Sequence, residues 1–343
     1  MKIRRITAIL LACTLLTAAG CGNKQEESSG TAPTPANTAG TQQTAAETEP
    51  AEPATEAVSA VHNPLTGEIG YNQDAVGKRP IAVMVNNVKP SLPQYGIAAA
   101  DIIYEIPVEG GITRLMAVYA DYTNLPDICS VRSCRYYYPI LAYGMDAIYC
   151  HWGCDQTIAK DTLERLGIDR MDGGGIANKV IFFRDPDRVG KYNTEHTGYL
   201  KGDAVPDAID QFGFRTDTTA EDAFRFLDPE KPEKPEGESC ETVNAAFSDQ
   251  YFSTFTYDAS SETYLKQHSG KPHMDQKADK QLAFTNVILL QTDIHTRPDG
   301  YLMDVALKGG TGYYISLGEA QEIKWTKDAE DQPIRLFDQS GKE

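Results

Sequence analysis

Residues 128–166 read ICSVRSCRYYYPILAYGMDAIYCHWGCDQTIAKDTLERL, and this stretch decides the class of the fold. Residues 128–132 and 147–151 are short apolar runs that predict strands, while residues 134–143 and 156–166 predict helices. Asp155 is the expected N-cap of the second helix, and Ser133 is placed to cap the first. Strand, helix, strand, helix implies at least one βαβ unit. If its strands are parallel neighbours, both strand-to-helix turns lie at one edge of the sheet, where open α/β sheets bind ligands.

Working outward, residues 81–86, 102–108, 112–120 and 180–183 predict further strands, and residues 204–212 a third helix. Residues 62–227 therefore read as a mixed α/β domain. The segment 228–239, DPEKPEKPEGES, has three prolines and alternating charge, which suits a linker and neither a helix nor a central strand. Beyond it, residues 247–257, 263–267, 282–292, 301–308, 312–316 and 322–326 alternate with Gly, Asp, Ser and Pro turns. They predict a small, mostly antiparallel all-β domain over residues 240–343. The class is thus α+β. The last residues, DQSGKE, read as a hairpin turn without its return strand, which predicts a truncated C-terminus.

The other end carries an address. Lys2, Arg4 and Arg5 precede an apolar run over residues 6–19, and Ala18-Ala19-Gly20 precedes Cys21. This reads as a signal peptide over residues 1–20, cut before Cys21, whose thiol takes a lipid; the alternative is a cleaved secretory signal with a soluble product. Residues 22–61 hold six Glu, four Pro and not one Leu, Ile, Phe, Tyr or Trp, so they read as a disordered tether. The expected location is the outer face of a bacterial cell membrane. The net charge of −17 divides into +3 for the signal, −5 for the tether and −15 for the body. So acidic a body excludes a general grip on nucleic acid, and no run reaches the roughly 18 apolar residues of a transmembrane helix.

Two clusters could carry chemistry. Arg132, Ser133 and Arg135 surround one helix start, and His151 and Gly153 precede the other. Free helix N–H groups, two guanidiniums and an imidazole would make a pocket for phosphate or carboxylate. The competing reading pairs both arginines with surplus carboxylates and leaves His151 as a strand-end residue. A two-residue Gly110-Gly111 turn would set Pro107 opposite Arg114 and make Glu105 and Glu109 its diagonal neighbours. That favours an ion-pair network over an acid/base pair of carboxylates.

Cys129, Cys134, Cys150 and Cys154 bracket the same turns with spacing C-x4-C-x15-C-x3-C. Two disulfides of undetermined pairing, an irregular structural zinc site, a Cys134/His151 nucleophile and free thiols all remain open. No other cofactor is called for. His268 and His273 flank Gly270 in a polar loop as weak metal candidates, Asp172-Gly173-Gly174-Gly175 reads as a flexible turn, and Tyr136, Tyr137 and Tyr138 read as core more than as a ligand wall.

The runs NPLTG (63–67), RPIAVMVNN (79–87), ADIIYEIPVEGGITRLMAVY (100–119), VRS-x-R and DAIY-x-H-x-G resemble the YerB family of bacterial lipoproteins, a resemblance that continues through GGTGYYIS (309–316). It implies two domains of unknown function and no reaction. It picks out Glu105, Glu109, Gly110, Gly111, Thr113, Arg114, Arg132, Ser133, Arg135, His151 and Gly153, with His196 as a second histidine. It also implies that Cys134 and Cys154 are additions of this lineage, and that one more C-terminal strand is usual. Together these predict a lipid-anchored protein that binds an anionic cell-wall or lipid-linked ligand, or an envelope protein, through Arg114, Arg132, Ser133, Arg135 and His151. The alternative is an envelope hydrolase or transferase with His151 as acid or base and Arg132 and Arg135 stabilising negative charge.

Overall fold

Strands β1 (Ile81–Asn86), β2 (Ile102–Pro107), β3 (Thr113–Tyr119), β5 (Ile148–His151) and β6 (Arg170–Asp172) form a five-stranded sheet in the order β2-β3-β1-β5-β6. This is a computed structural model, and it describes residues 61–228 and 231–343. The expected signal peptide, the Cys21 lipidation site and nearly all of the tether lie outside the described residues.

β1 runs antiparallel to β3 and parallel to β5, and β5 runs parallel to β6 through the crossover helix α2 (Ile158–Leu166). Alternate residues of β1 face opposite cores, Ile81, Val83 and Val85 on one side and Ala82 and Met84 on the other. With both faces covered, the strand reads as a continuous apolar run. Helices α1 (Tyr137–Gly144) and α2 cover one face. The opposite face packs against helix α3 (Val205–Phe212) and a second, three-stranded sheet of β4 (Ile128–Cys129), β8 (Gly198–Leu200) and β7 (Phe182–Arg184).

The βαβ unit therefore differs from the expected one. The strand predicted over residues 128–132 is cut to Ile128–Cys129 and pairs in the second sheet, so the parallel partners of β5 are β1 and β6. α1 begins at Tyr137, three residues later than predicted. That start keeps Pro139 in the first turn, where its missing N–H costs nothing; a start at residue 134 would put it in the helix interior. The N-cap of α2 is Thr157, two residues beyond the predicted Asp155, whose Oδ1 still accepts from Thr157 N at 3.3 Å and Ala159 N at 3.1 Å.

The second module is all β. β10 (Thr242–Ala246), β11 (Phe252–Asp258) and β12 (Thr263–His268) form one antiparallel sheet. Asn286–Gln291, Gly309–Ser316, Glu319–Thr326 and Arg335–Phe337 form another, which β9 (Glu238–Ser239), the end of the proline-rich segment, joins at Glu319–Thr326. Its own core is small, centred on Val243, Tyr264, Val287 and Ile315. The two modules pack as one unit, with Val305 of the second buried in the helix-side core of the first.

Candidate functional site

The hairpin that carries Glu109 turns one residue differently from the predicted register. Pro107 pairs with Thr113 and Ile106 with Arg114 around a turn of Glu109, Gly110 and Gly111. Gly110 takes φ 74°, a left-handed conformation that costs glycine little. The shift puts Arg114 and Glu105 on opposite faces of the sheet, because side chains alternate. Glu105 is thus no partner of Arg114, and only Glu109 is.

Glu109 accepts from Arg114 Nη2 at 3.3 Å and from Arg135 Nε at 2.8 Å, and Arg135 Nη2 lies against its other oxygen. Arg114 Nη1 donates to Ser133 O at 2.6 Å, and Arg135 Nη1 to Ser133 Oγ at 3.2 Å and Cys134 O at 2.8 Å. Because α1 starts late, Ser133 caps no helix, and the predicted helix N–H donors are not at residues 134–136; Ser133 instead receives Arg135. Burial raises the Glu109 carboxyl, but Arg135 and Arg114 outweigh it and hold the group below its ordinary value. Burial, then repulsion from Arg135, pushes Arg114 down to about 10, with Arg132 adding to it.

The loop carrying these arginines is held by backbone bonds. Asn86 N donates to Ser130 O at 2.9 Å and Arg132 N to Met84 O at 2.9 Å, while Trp152 N donates to Arg132 O and Cys134 N to Gly153 O, both at 3.1 Å. Residues 130–134 thus thread between the ends of β1 and β5. The two turns adjoin, although the predicted strand leading into the first is cut to Ile128–Cys129 and is not a parallel neighbour of β5. Arg132 reaches out of this loop to Glu195 at 2.8 Å. Next to Glu195, His196 is 3 % exposed and its Nδ1 is 3.0 Å from Asn86 Nδ2. Glu195 was missed in the sequence, since nothing in a 3-10 turn far along the chain signals its partner.

His151 stands apart from the guanidiniums. It is 1 % exposed, its Nδ1 lies 2.9 Å from Gly153 O and 3.8 Å from Asp172 Oδ1, and its Nε2 is buried without a partner. Burial lowers its pKa, against a smaller opposing pull from Asp172, so the ring is neutral at pH 7. Asp172 Oδ1 also accepts from Gly153 N and Gly174 N, each at 2.7 Å. Gly153, with φ 77°, makes the turn that lets Cys134 pair there.

Glu105 belongs to a second polar cluster, where the two modules meet. It accepts from Asn87 Nδ2 at 3.0 Å, Thr113 Oγ1 at 2.9 Å and Ser253 Oγ at 2.7 Å, and it pairs with Lys266 Nζ at 3.1 Å. Lys266 also contacts His273 Nδ1 at 3.1 Å, and His273 Nε2 lies 2.9 Å from Gln94 Oε1. His268 and His273 are therefore buried interface residues and not part of a polar loop. Tyr137 and Tyr138 are core, their hydroxyls donating to Pro107 O and to Ile106 O and Arg114 O.

The four cysteines do not gather. Cys150 is buried in the sheet core. Cys129 lies in the second sheet, its thiol pushed up to about 12 by burial. Only Cys134 and Cys154 adjoin, so the four-thiolate zinc arrangement does not form, and among the described residues no three His, Cys, Asp or Glu side chains could hold a metal ion. Cys134 is wholly buried and its thiol is raised by burial, which counts against the reading of it as an activated nucleophile beside His151. Two surface depressions, one lined by Phe224, Phe226, Leu227 and Arg335 and the other by Tyr143, Arg165 and Glu330, do not include Arg114, Arg132 or Arg135. No helix of the described residues is long and apolar enough to cross a membrane.

Comparison with known proteins places this geometry among relatives. Residues 65–215 match the domain described as the N-terminal domain of a protein of unknown function, DUF3048, and residues 243–343 match its C-terminal domain. The chain is similar to YerB of Bacillus subtilis (strain 168), which its name proposes to be a lipoprotein. Identity is 28 % over 271 residues, covering 76 % of this chain and 77 % of YerB. The crystal structure of YerB superposes with a TM-score of 0.69 at 26 % identity, covering 81 % of this chain and 91 % of that one.

Proposed function

We propose a function for this chain from one premise: it belongs to the DUF3048 family, as its matches to both of that family's domains establish. The chain is a lipoprotein carried on the outer face of the membrane through Cys21, and its folded body binds an anionic envelope ligand, a phosphate or carboxylate, at the loop of residues 132–135. The anchor rests on the Ala-Ala-Gly-Cys signal and on the name of the relative. The binding site rests on one observation. Arg114 and Arg135 converge on Ser133, the chain neighbour of Arg132, while the carboxylates bonded to the three arginines are Glu109, shared by two, and Glu195. Three guanidiniums thus gather at one loop, with Glu109 and Glu195 bonded to them and Asp155 acting on Arg135, on a body of charge −15. Arg132 is the part-exposed arm that meets the ligand, and Arg114, Arg135 and Glu109 hold the loop behind it.

The test is thermal unfolding of the full chain with inorganic pyrophosphate, at constant ionic strength against chloride. The expected result is a rise in melting temperature that saturates and is lost in Arg132→Gln; at a ligand level of 100 times Kd the stabilisation is about 2.7 kcal/mol. A rise that survives in Arg132→Gln, or that chloride reproduces, overturns the reading. A second reading, catalysis with His151 as base, draws on its neutral ring and unpartnered Nε2. It requires turnover that His151→Gln abolishes while pyrophosphate binding is kept, and a chain without turnover removes it.

A further inference from the structure

We propose that Cys134 and Cys154 form a disulfide bond that ties the arginine loop to the turn after β5. The two residues face each other across a parallel β-bridge, and Cys134 N donates to Gly153 O at 3.1 Å. Facing residues of paired strands are about 4.8 Å apart and project to the same side, within the roughly 4.4–6.8 Å between Cα atoms that a disulfide spans. Both are free thiols here, and the nearby Cys134 thiol holds the Cys154 pKa below its ordinary value, outweighing the opposing effect of burial. Cys129 and Cys150 lie elsewhere, in the second sheet and the sheet core, and Cys240 is in the other module with its Sγ on Thr242 O at 3.8 Å.

The pair also divides the chemistry. Cys154 is part exposed and Cys134 is fully buried, so an external oxidant reaches only Cys154. The oxidant is a small-molecule or protein disulfide of the compartment outside the membrane, and for that supply alone the inference rests on the export proposed above. The Cys154 thiolate attacks one sulfur of that disulfide, and the other sulfur leaves as a thiolate. Cys134 then loses its proton, and its sulfur attacks Cys154 Sγ in the mixed disulfide, expelling the second half of the oxidant. Two thiols of the chain are oxidised, one external disulfide is reduced to two thiols, and the protons of Cys134 and Cys154 pass to the released sulfurs. The bond would fix Cys134 between Ser133 and Arg135, so it sets the position of the residues that hold Glu109 and Arg114.

The full chain, reduced and then incubated with oxidised glutathione, is trapped with N-ethylmaleimide, digested without reduction and read by mass spectrometry. Fragment spectra separate Cys150 from Cys154, which share one tryptic peptide. The expected product links Cys134 to Cys154 and is lighter by two hydrogens than the reduced peptides together. Alkylation of both cysteines, or a link from either to Cys129, Cys150 or Cys240, overturns the proposal. Cys134→Ser is expected to hold glutathione on Cys154, whereas Cys154→Ser leaves Cys134 unmodified; glutathione on Cys134 in the latter overturns the order of attack. Because the bond is read by mass, a failure of pyrophosphate binding leaves this result untouched.

Discussion

The guanidinium of Arg135 holds the carboxylate of Glu109 with two nitrogens, joining the start of α1 to the tip of a hairpin. The same carboxylate is the counter-charge of Arg114, which is 4 % exposed. Glu109→Gln keeps the shape and removes the charge, leaving two buried cations facing each other. Breaking a buried ion pair from one side costs about 3–5 kcal/mol, so urea unfolding of Glu109→Gln is expected to show a loss of that size with unchanged m. A loss below about 1 kcal/mol, the scale of an exposed pair, would mean that another group neutralises the arginines.

Acid acts on this chain in two stages. His268 and His273 are depressed, by burial first and then by Lys266, and His268 falls to about 4. The groups facing them are Lys266, Lys89, Glu105, Tyr251 and Gln94. A depressed histidine contributes stability that is complete above its unfolded value near 6.5 and is lost as pH falls toward its folded value. Glu105 and Glu109 are also depressed, their cationic and hydroxyl partners outweighing burial, so their contribution is complete above roughly 4.3 and is lost as pH falls through their folded values. The melting temperature should therefore fall gently from about pH 6.5 to 4 and steeply below. His268→Gln is expected to reduce the slope of the upper stage only, with His273, His151 and His196, also depressed by burial, supplying the rest; an unchanged upper slope would remove His268 from the account.

Most of the architecture was legible in the sequence, because strands such as β1 and β3 carry long apolar runs between turns and α2 carries a marked stripe with Asp155 accepting from its first N–H groups. What was not legible followed from pairing and position. One residue of hairpin register moved Glu105 from Arg114 to Lys266, since a strand alternates faces at every residue. One proline moved the start of α1 and took Ser133 from its predicted cap. Of the predicted site, Glu109, Arg114, Ser133 and Arg135 are brought together, Arg132 joins them through the loop, and His151 lies with Asp172. Glu195 and Lys266 were invisible because their partners are distant in sequence and no local pattern marks either.

Lys266 and Glu105 join the two modules through a buried ion pair at 3.1 Å, with Lys266 2 % exposed. The β module has a small core of its own, so its stability is expected to draw on this contact. Lys266→Met leaves Glu105 buried without its cation and is expected to cost about 3–5 kcal/mol. Glu105→Gln in the same chain should restore part of this, with a coupling of at least about 1 kcal/mol. The chain provides its own reporters, since Trp152 lies in the α/β module and Trp325 in the β module, and there are 2 Trp in all. In single-tryptophan chains made with Trp152→Phe or Trp325→Phe, the wild-type pairing should give coincident unfolding curves. Adding Lys266→Met should move the Trp325 curve to lower urea than the Trp152 curve, because the module with the smaller core loses its support first. Curves that stay coincident would mean that contacts such as Tyr136 with Val305, where the hydroxyl donates to the carbonyl at 3.1 Å, hold the modules without the ion pair.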